Sequence, residues 1–71
     1  MAAYRTEIQN VLDEKNLNTD PRHVEAFMRV EHPTLDHLSP ERFRAEVDLS
    51  IACVVEAGED DAEDLAASLG L

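Results

Sequence analysis

Apolar residues recur at helical spacing in four segments of the chain. The first segment runs from Ala3 to about Lys15, and its apolar face consists of Tyr4, Ile8, Val11 and Leu12. The second begins near Pro21, after a capping Thr19 or Asp20, and ends at about Glu31; its apolar side consists of Val24, Phe27 and Met28. This spacing predicts two amphipathic helices.

Two further helices are predicted downstream. Ser39-Pro40-Glu41 is a strong start signal, because it combines a capping hydroxyl, a proline and an acid near the positive end of the helix dipole. This helix ends at Gly58, and its main stripe consists of Phe43, Val47, Ile51 and Val54. A short strand over residues 51–55 is the competing interpretation. A last helix, capped by Asp60 or Asp61, carries Ala62, Leu65, Ala66 and Leu69 on one face.

The connection between the second and third helices also contains a helical turn. Thr34 to Leu38 is predicted to form one short turn, with Leu35 and Leu38 directed inward. Asp36 or His37 is expected to hydrogen-bond backbone groups of this connection and to fix its geometry.

The predicted fold class is therefore all-α: a compact small bundle of four short helices in one domain, residues 1-71. A three-helix core with a loosely docked short C-terminal helix is the variant. A core of this size supplies no more than roughly 3–5 kcal/mol, and a single cysteine excludes an internal disulfide. Self-association is therefore a way to reinforce the fold.

The third helix has more apolar residues than one stripe holds. Leu49, Ala52, Cys53 and Val55 all lie off its main stripe. In one interpretation the helix is central, with the first two helices on one side and the last on the other. In the other, part of this surplus is exposed as a docking surface for a second copy of the chain or for another protein. The two interpretations are compatible.

Charge is distributed unevenly along the chain. Sixteen acids against six bases give a net charge of -10, and no Lys or Arg follows Arg44. Six acids fall within residues 56–64. In one interpretation they stabilise a helix start and keep the protein soluble; in the other they meet a basic surface on a partner. The candidate partner-binding residues are Leu49, Ala52, Cys53, Val55, Glu56, Asp60, Asp61, Glu63 and Asp64.

Several function classes are disfavoured. The acidity argues against direct binding of nucleic acid or anionic membranes, and no apolar run approaches the ~20 residues that span a bilayer. The start of the sequence lacks a secretory pattern, so a cytoplasmic location is expected. Arg42 and Arg44 do not fit a helix-turn-helix; together with Arg29, they are expected to pair with nearby acids or to contact an acidic partner surface.

Metal, cofactor and catalytic sites are not predicted. The acidic stretch lacks the ligand order of an EF-hand, and His32 and His37, near Glu31 and Asp36, match no zinc pattern. Cys53 has no base near it in sequence, so its thiol is expected to behave as a small hydrophobe.

The sequence thus favours a non-catalytic, acidic helical module that binds another protein with a basic surface or a second copy of itself as a homodimer. The alternative is an acidic inhibitor that mimics nucleic acid and blocks a DNA- or RNA-handling protein.

Overall fold

A computed structural model describes residues 4–71, which form four α-helices. They are α1 (Tyr4–Glu14), α2 (Pro21–Glu31), α3 (Pro40–Ala57) and α4 (Glu59–Ser68). The predicted all-α bundle is confirmed. Residues 51–55 are helical, so the alternative of a strand there is wrong. The predicted start of the first helix at Ala3 lies outside the described residues.

Local sequence fixes the starts of α2 and α3. The Asp20 carboxylate accepts a hydrogen bond from the backbone amide of Arg22 at 2.9 Å, and the Ser39 hydroxyl accepts one from the amide of Arg42 at 3.2 Å. A proline follows each cap, where its missing amide hydrogen costs nothing. Both predicted helix starts are therefore confirmed, with Asp20 rather than Thr19 as the cap.

The junction of α3 and α4 differs from the prediction. α4 begins at Glu59, directly after Gly58, and no side chain caps it. Gly58 has φ 91°, a left-handed conformation that glycine adopts at little cost, so one residue ends α3 and starts α4. Asp60 and Asp61 are therefore not caps; they lie in the first turn of α4, where their charge favours the helix dipole.

The central element of the bundle is α2, which packs more extensively against α1 and α4 than α3 does and also packs against α3. This corrects the expectation that α3 lies at the centre with α4 covering its far side. The predicted apolar stripes converge on one core, formed by Ile8, Val11, Leu12, Val24, Met28, Leu35, Val47, Ile51, Val54 and Ala62. Because α2 takes the central place, one side of α3 is left open.

The last helix is firmly docked. Ala62 and Ala66 are fully buried, and such small side chains let α4 approach α2 closely. Arg22 of α2 also binds Glu63, and its Nη1 donates to the backbone carbonyl of Leu71 at 2.9 Å. The variant with a loosely docked C-terminal helix is therefore wrong.

The connection between α2 and α3 contains a hydrogen-bonded turn at residues 36–37, which is shorter than the helical turn predicted over Thr34 to Leu38. The backbone amide of Leu38 donates to the carbonyl of Leu35 at 3.2 Å, and Leu35 is buried while Leu38 is half-buried. Asp36 accepts a hydrogen bond from the Tyr4 hydroxyl, and His37 Nδ1 lies 3.3 Å from the hydroxyl of Thr34. Both contacts are to side chains, so the predicted backbone contacts of Asp36 and His37 are wrong.

None of the helices within residues 4–71 has both the length and the apolar character needed to cross a membrane.

Candidate protein-interaction site

The open side of α3 presents apolar side chains to solvent. Leu49 is 62 % exposed, and Ala52 and Cys53 are also exposed. Their spacing of three and four residues, continued by the exposed Glu56, places them along one side of the helix. We call the row formed by Arg42, Ala45, Leu49, Ala52, Cys53 and Glu56 the outer stripe.

Arg42 and Ala45 of the outer stripe were not among the residues predicted for the site. Both are exposed, and positions 42, 45, 49, 52 and 56 alternate steps of three and four residues. This is the seam spacing with which one helix packs along another. The signal is present in the sequence, but Arg42 is charged and Ala45 is small, so a search for surplus hydrophobic residues passes over both.

Val55 does not belong to the outer stripe. It is 68 % exposed, but at about 100° per residue it lies about 60° around the helix from Ala52. It lines a shallow cavity of about 280 Å³ together with Thr19, His23 and Gly58. The structure therefore separates Val55 from Leu49, Ala52 and Cys53.

The predicted acidic residues are also divided. Glu63 binds Arg22, and its carboxylate lies 3.0 Å from Nε2 of the buried His23. The hydrogen bond from Arg22, followed by that from His23, lowers the pKa of Glu63. Glu63 therefore links α4 to α2 through Arg22 and His23, and its carboxylate is not available to a partner in the way predicted.

The remaining predicted acids face solvent. Glu56 ends the outer stripe, while Asp60, Asp61 and Asp64 lie on the outward side of α4. Within residues 4–71 the structure shows no ion pair for any of these four side chains. Their charge is therefore available to a partner.

Arg29, Arg42 and Arg44 pair with acids of the same chain, which was one of the two alternatives predicted for them. The pairs are Arg29 with Glu25, Arg42 with Glu46 and Arg44 with Glu14. The Arg42 pair is long, at 3.7 Å, and the Arg42 side chain is 65 % exposed. Arg42 is thus free to exchange this contact for another, because an exposed pair contributes only about 0–1 kcal/mol.

Glu25 is the most buried carboxylate that the structure describes, at 4 % exposure. Arg5 Nε and Arg29 Nε donate to its two oxygens at 2.7 and 2.8 Å. Burial raises the pKa of Glu25 and is the largest single effect, but the hydrogen bonds from Arg5 and Arg29, together with their charges, outweigh it and hold the pKa below its ordinary value. This cluster joins α1 to α2.

The lowered pKa of Glu25 predicts loss of stability in acid. A carboxylate with a lower pKa in the folded state contributes its full stabilisation above the unfolded value, near 4.5, and loses it as the pH falls through the folded value. Glu25→Gln is expected to reduce the free energy of unfolding by about 1–2 kcal/mol at neutral pH and by less below pH 4.5. Urea denaturation across this range measures the difference.

Glu31→Gln is the matched control for this experiment. Glu31 is exposed on the same helix, and among residues 4–71 it has no ion pair. It reports the general effect of removing one charge from an acidic protein. If Glu25→Gln and Glu31→Gln change the free energy of unfolding equally at every pH, the assigned role of the Arg5–Glu25–Arg29 cluster is wrong.

The histidines that were considered for metal binding lie close together. The rings of His32 and His37 are 5.9 Å apart, and His32 Nε2 lies 3.4 Å from a carboxylate oxygen of Glu46. Across residues 4–71, no three His, Cys, Asp or Glu side chains converge as metal ligands.

Comparison of the chain with protein-family models, with curated proteins and with solved structures finds no match. The function is therefore inferred from the geometry of the chain itself.

Proposed function

We propose that the protein is a protein-binding module that works as a homodimer, in which the outer stripes of two α3 helices pack together in antiparallel orientation. The observation that carries this proposal is the self-complementarity of the stripe about Leu49. Arg42 lies seven residues before Leu49, and Glu56 lies seven residues after it. A two-fold axis at Leu49 therefore brings opposite charges together at both ends.

The same axis matches the side chains by size. It places Leu49 against its own copy. Ala45, four residues before the axis, lies against Cys53 of the other helix, four residues after it, as an isologous interface requires. The small side chains of Ala45 and Cys53 at each such crossing let the helices approach to the short end of the usual 8–10 Å separation. Arg42 and Glu56 lie about 10 Å from the axis at 1.5 Å per residue.

Electrostatics set the conditions for this dimer. Each copy carries a net charge of -10, so long-range repulsion opposes association. The acids on the outward side of α4 lie outside the stripe, and salt screens their repulsion over about 8–10 Å at physiological ionic strength. Dimerisation is therefore expected to strengthen between low and physiological salt, whereas binding to a basic partner would weaken.

Leu49→Lys is expected to weaken dimerisation by at least about thirtyfold, since it removes the apolar centre of the interface and places two like charges at the axis. Sedimentation equilibrium measures the dissociation constant. Val30→Lys is the matched control, because Val30 is 57 % exposed on α2, away from the outer stripe. It is expected to change the constant less than about threefold.

Charge exchange in the same assay tests the antiparallel register. Arg42→Glu and Glu56→Arg each create two like-charged contacts and are expected to weaken the dimer by roughly fivefold to thirtyfold. The double variant restores both contacts and recovers most of the affinity. Failure of the wild-type protein to dimerise, equal effects of the Leu49 and Val30 variants, or absence of recovery in the double variant would contradict the proposal.

A second candidate function is an acidic inhibitor that takes the place of nucleic acid on a basic protein. It is favoured by the outward carboxylates of Asp60, Asp61 and Asp64, which remain exposed in the proposed dimer. If the protein is such an inhibitor, it displaces duplex DNA from a basic DNA-binding domain in a competition assay. A variant in which all three aspartates are replaced by asparagine no longer displaces the DNA. The dimer alone requires neither result.

A further inference from the structure

A groove lies between α1 and the beginning of α3. Its volume is about 620 Å³, within the range of about 300–1,000 Å³ that is usual for ligand sites. Val11 and Leu35 at its base are buried, and the rings of Tyr4 and Phe43 stack 5.7 Å apart along it. With the half-buried Leu38, these side chains form an apolar floor.

The rim of the groove is acidic. Four carboxylates line it, against the single guanidinium of Arg44: Glu7, Glu14, Asp36 and Glu41. Arg44 forms an ion pair with Glu14, and Asp36 accepts a hydrogen bond from the Tyr4 hydroxyl. The carboxylates of Glu7 on α1 and Glu41 on α3 are exposed, and neither forms an ion pair within residues 4–71.

We propose that this groove binds a basic amphipathic segment of another protein. An apolar side chain of that segment enters the floor, and Lys or Arg residues on both sides of it pair with Glu7 and Glu41. The charge of the rim favours this occupant over a second copy of this acidic chain. The α1 wall, from Tyr4 to Glu14, is about 15 Å long at 1.5 Å per residue, the length of roughly three turns of a bound helix.

This site does not depend on the proposed dimer. Pro40, which lines the groove, lies nine residues before Leu49 and therefore about half a turn from it around α3 at about 100° per residue. Phe43 and Arg44 also lie at least 120° around α3 from Leu49, so the floor of the groove faces away from the outer stripe. Glu41 on the rim lies about 80° from Leu49, beside Ala45 at the edge of the stripe. Both copies of the proposed dimer present an open groove, and a monomer presents the same groove.

The probe is a fluorescein-labelled peptide of about 12 residues with leucine and lysine at helical spacing. Binding is followed by fluorescence anisotropy at low and physiological salt. The double variant Glu7→Lys/Glu41→Lys is expected to weaken binding about tenfold or more at low salt, because each substitution replaces an attraction by a repulsion. A peptide with serine in place of leucine is expected to bind at least about tenfold more weakly.

Glu31→Lys/Asp64→Lys is the matched control, because it changes the net charge equally at exposed acids that do not line the groove. It is expected to weaken binding less than about threefold. Leu49→Lys distinguishes this site from the outer stripe, since it is expected to impair dimerisation and leave peptide binding within about threefold after correction for net charge.

Chemical-shift mapping identifies where the peptide lies. Changes in chemical shift that are concentrated at Tyr4, Leu38 and Phe43 support binding of the peptide in the groove. Any of three results overturns the proposal: no binding up to about 1 mM peptide, equal weakening by the rim and control variants, or shifts concentrated on the outer stripe. Equal binding of the serine peptide overturns it as well, since charge alone then accounts for the interaction.

Discussion

Met28→Ala is expected to leave most of the protein unfolded in dilute solution. Met28 is 1 % exposed on α2, the helix that packs most extensively against the other three, so a cavity here affects the packing of the whole bundle. Replacing a buried methionine by alanine costs about 2–5 kcal/mol. A core of this size supplies only roughly 3–5 kcal/mol, so the loss is comparable with the entire stability.

Far-UV circular dichroism with urea titration measures this effect at one fixed protein concentration, because dimerisation adds to the apparent stability by mass action. Val30→Ala is the control on the same helix. Val30 is 57 % exposed, so its truncation is expected to change the free energy of unfolding by less than about 0.5 kcal/mol. A Met28→Ala protein as stable as the Val30→Ala protein would show that α2 is not the centre of the core.

The helices were predictable from sequence because each has strong local signals. Asp20-Pro21 and Ser39-Pro40 fix two helix starts, and apolar periodicity identifies the inward faces. The exception is Leu69, which was placed on the inward face of the last helix but is 43 % exposed just after α4 ends. The start of α4 was not predictable in the same way. Asp60 is an ordinary capping residue, but Gly58 adopts a left-handed conformation that removes the need for a separate cap between α3 and α4.

The arrangement of the helices was harder to predict than their positions. α3 is the most apolar by composition around Cys53, yet α2 is the central helix. Ala26 and the arginine-paired Glu25 are both buried on α2, although neither stands out as a core residue in the sequence. Burial of Glu25 depends on Arg5, twenty positions away along the chain, and local periodicity carries no information about such a contact.

The candidate site was only partly predictable, because its residues come from local pattern in some cases and from long-range packing in others. Surplus hydrophobicity identified Leu49, Ala52 and Cys53, which the structure leaves exposed along one side of α3. Grouping by composition also included Val55 and Glu63, which the structure places elsewhere. The groove beside α1 escaped the sequence analysis entirely, because it joins residues from α1, the α2–α3 connection and α3 that are far apart in the chain.

The second large effect is expected from a cysteine placed at the proposed two-fold axis. In a protein carrying Leu49→Cys together with Cys53→Ser, the two position-49 side chains of the dimer face each other across a close helix pair. Mild oxidation is expected to link most of the protein covalently, since disulfides form between Cα atoms about 4.4–6.8 Å apart. The native Cys53 lies four residues from the axis, so its two copies are about 12 Å apart along the antiparallel helices.

Oxidative cross-linking, read by non-reducing gel electrophoresis, therefore tests antiparallel pairing through the outer stripe most directly. Val30→Cys with Cys53→Ser measures random collision, because Val30 is exposed on α2, away from the stripe. Rapid linkage is expected at position 49, with little linkage in either the wild-type protein or the Val30 control. Linkage of wild-type Cys53 as fast as that at position 49, or a position-49 variant no faster than the Val30 control, would contradict this pairing.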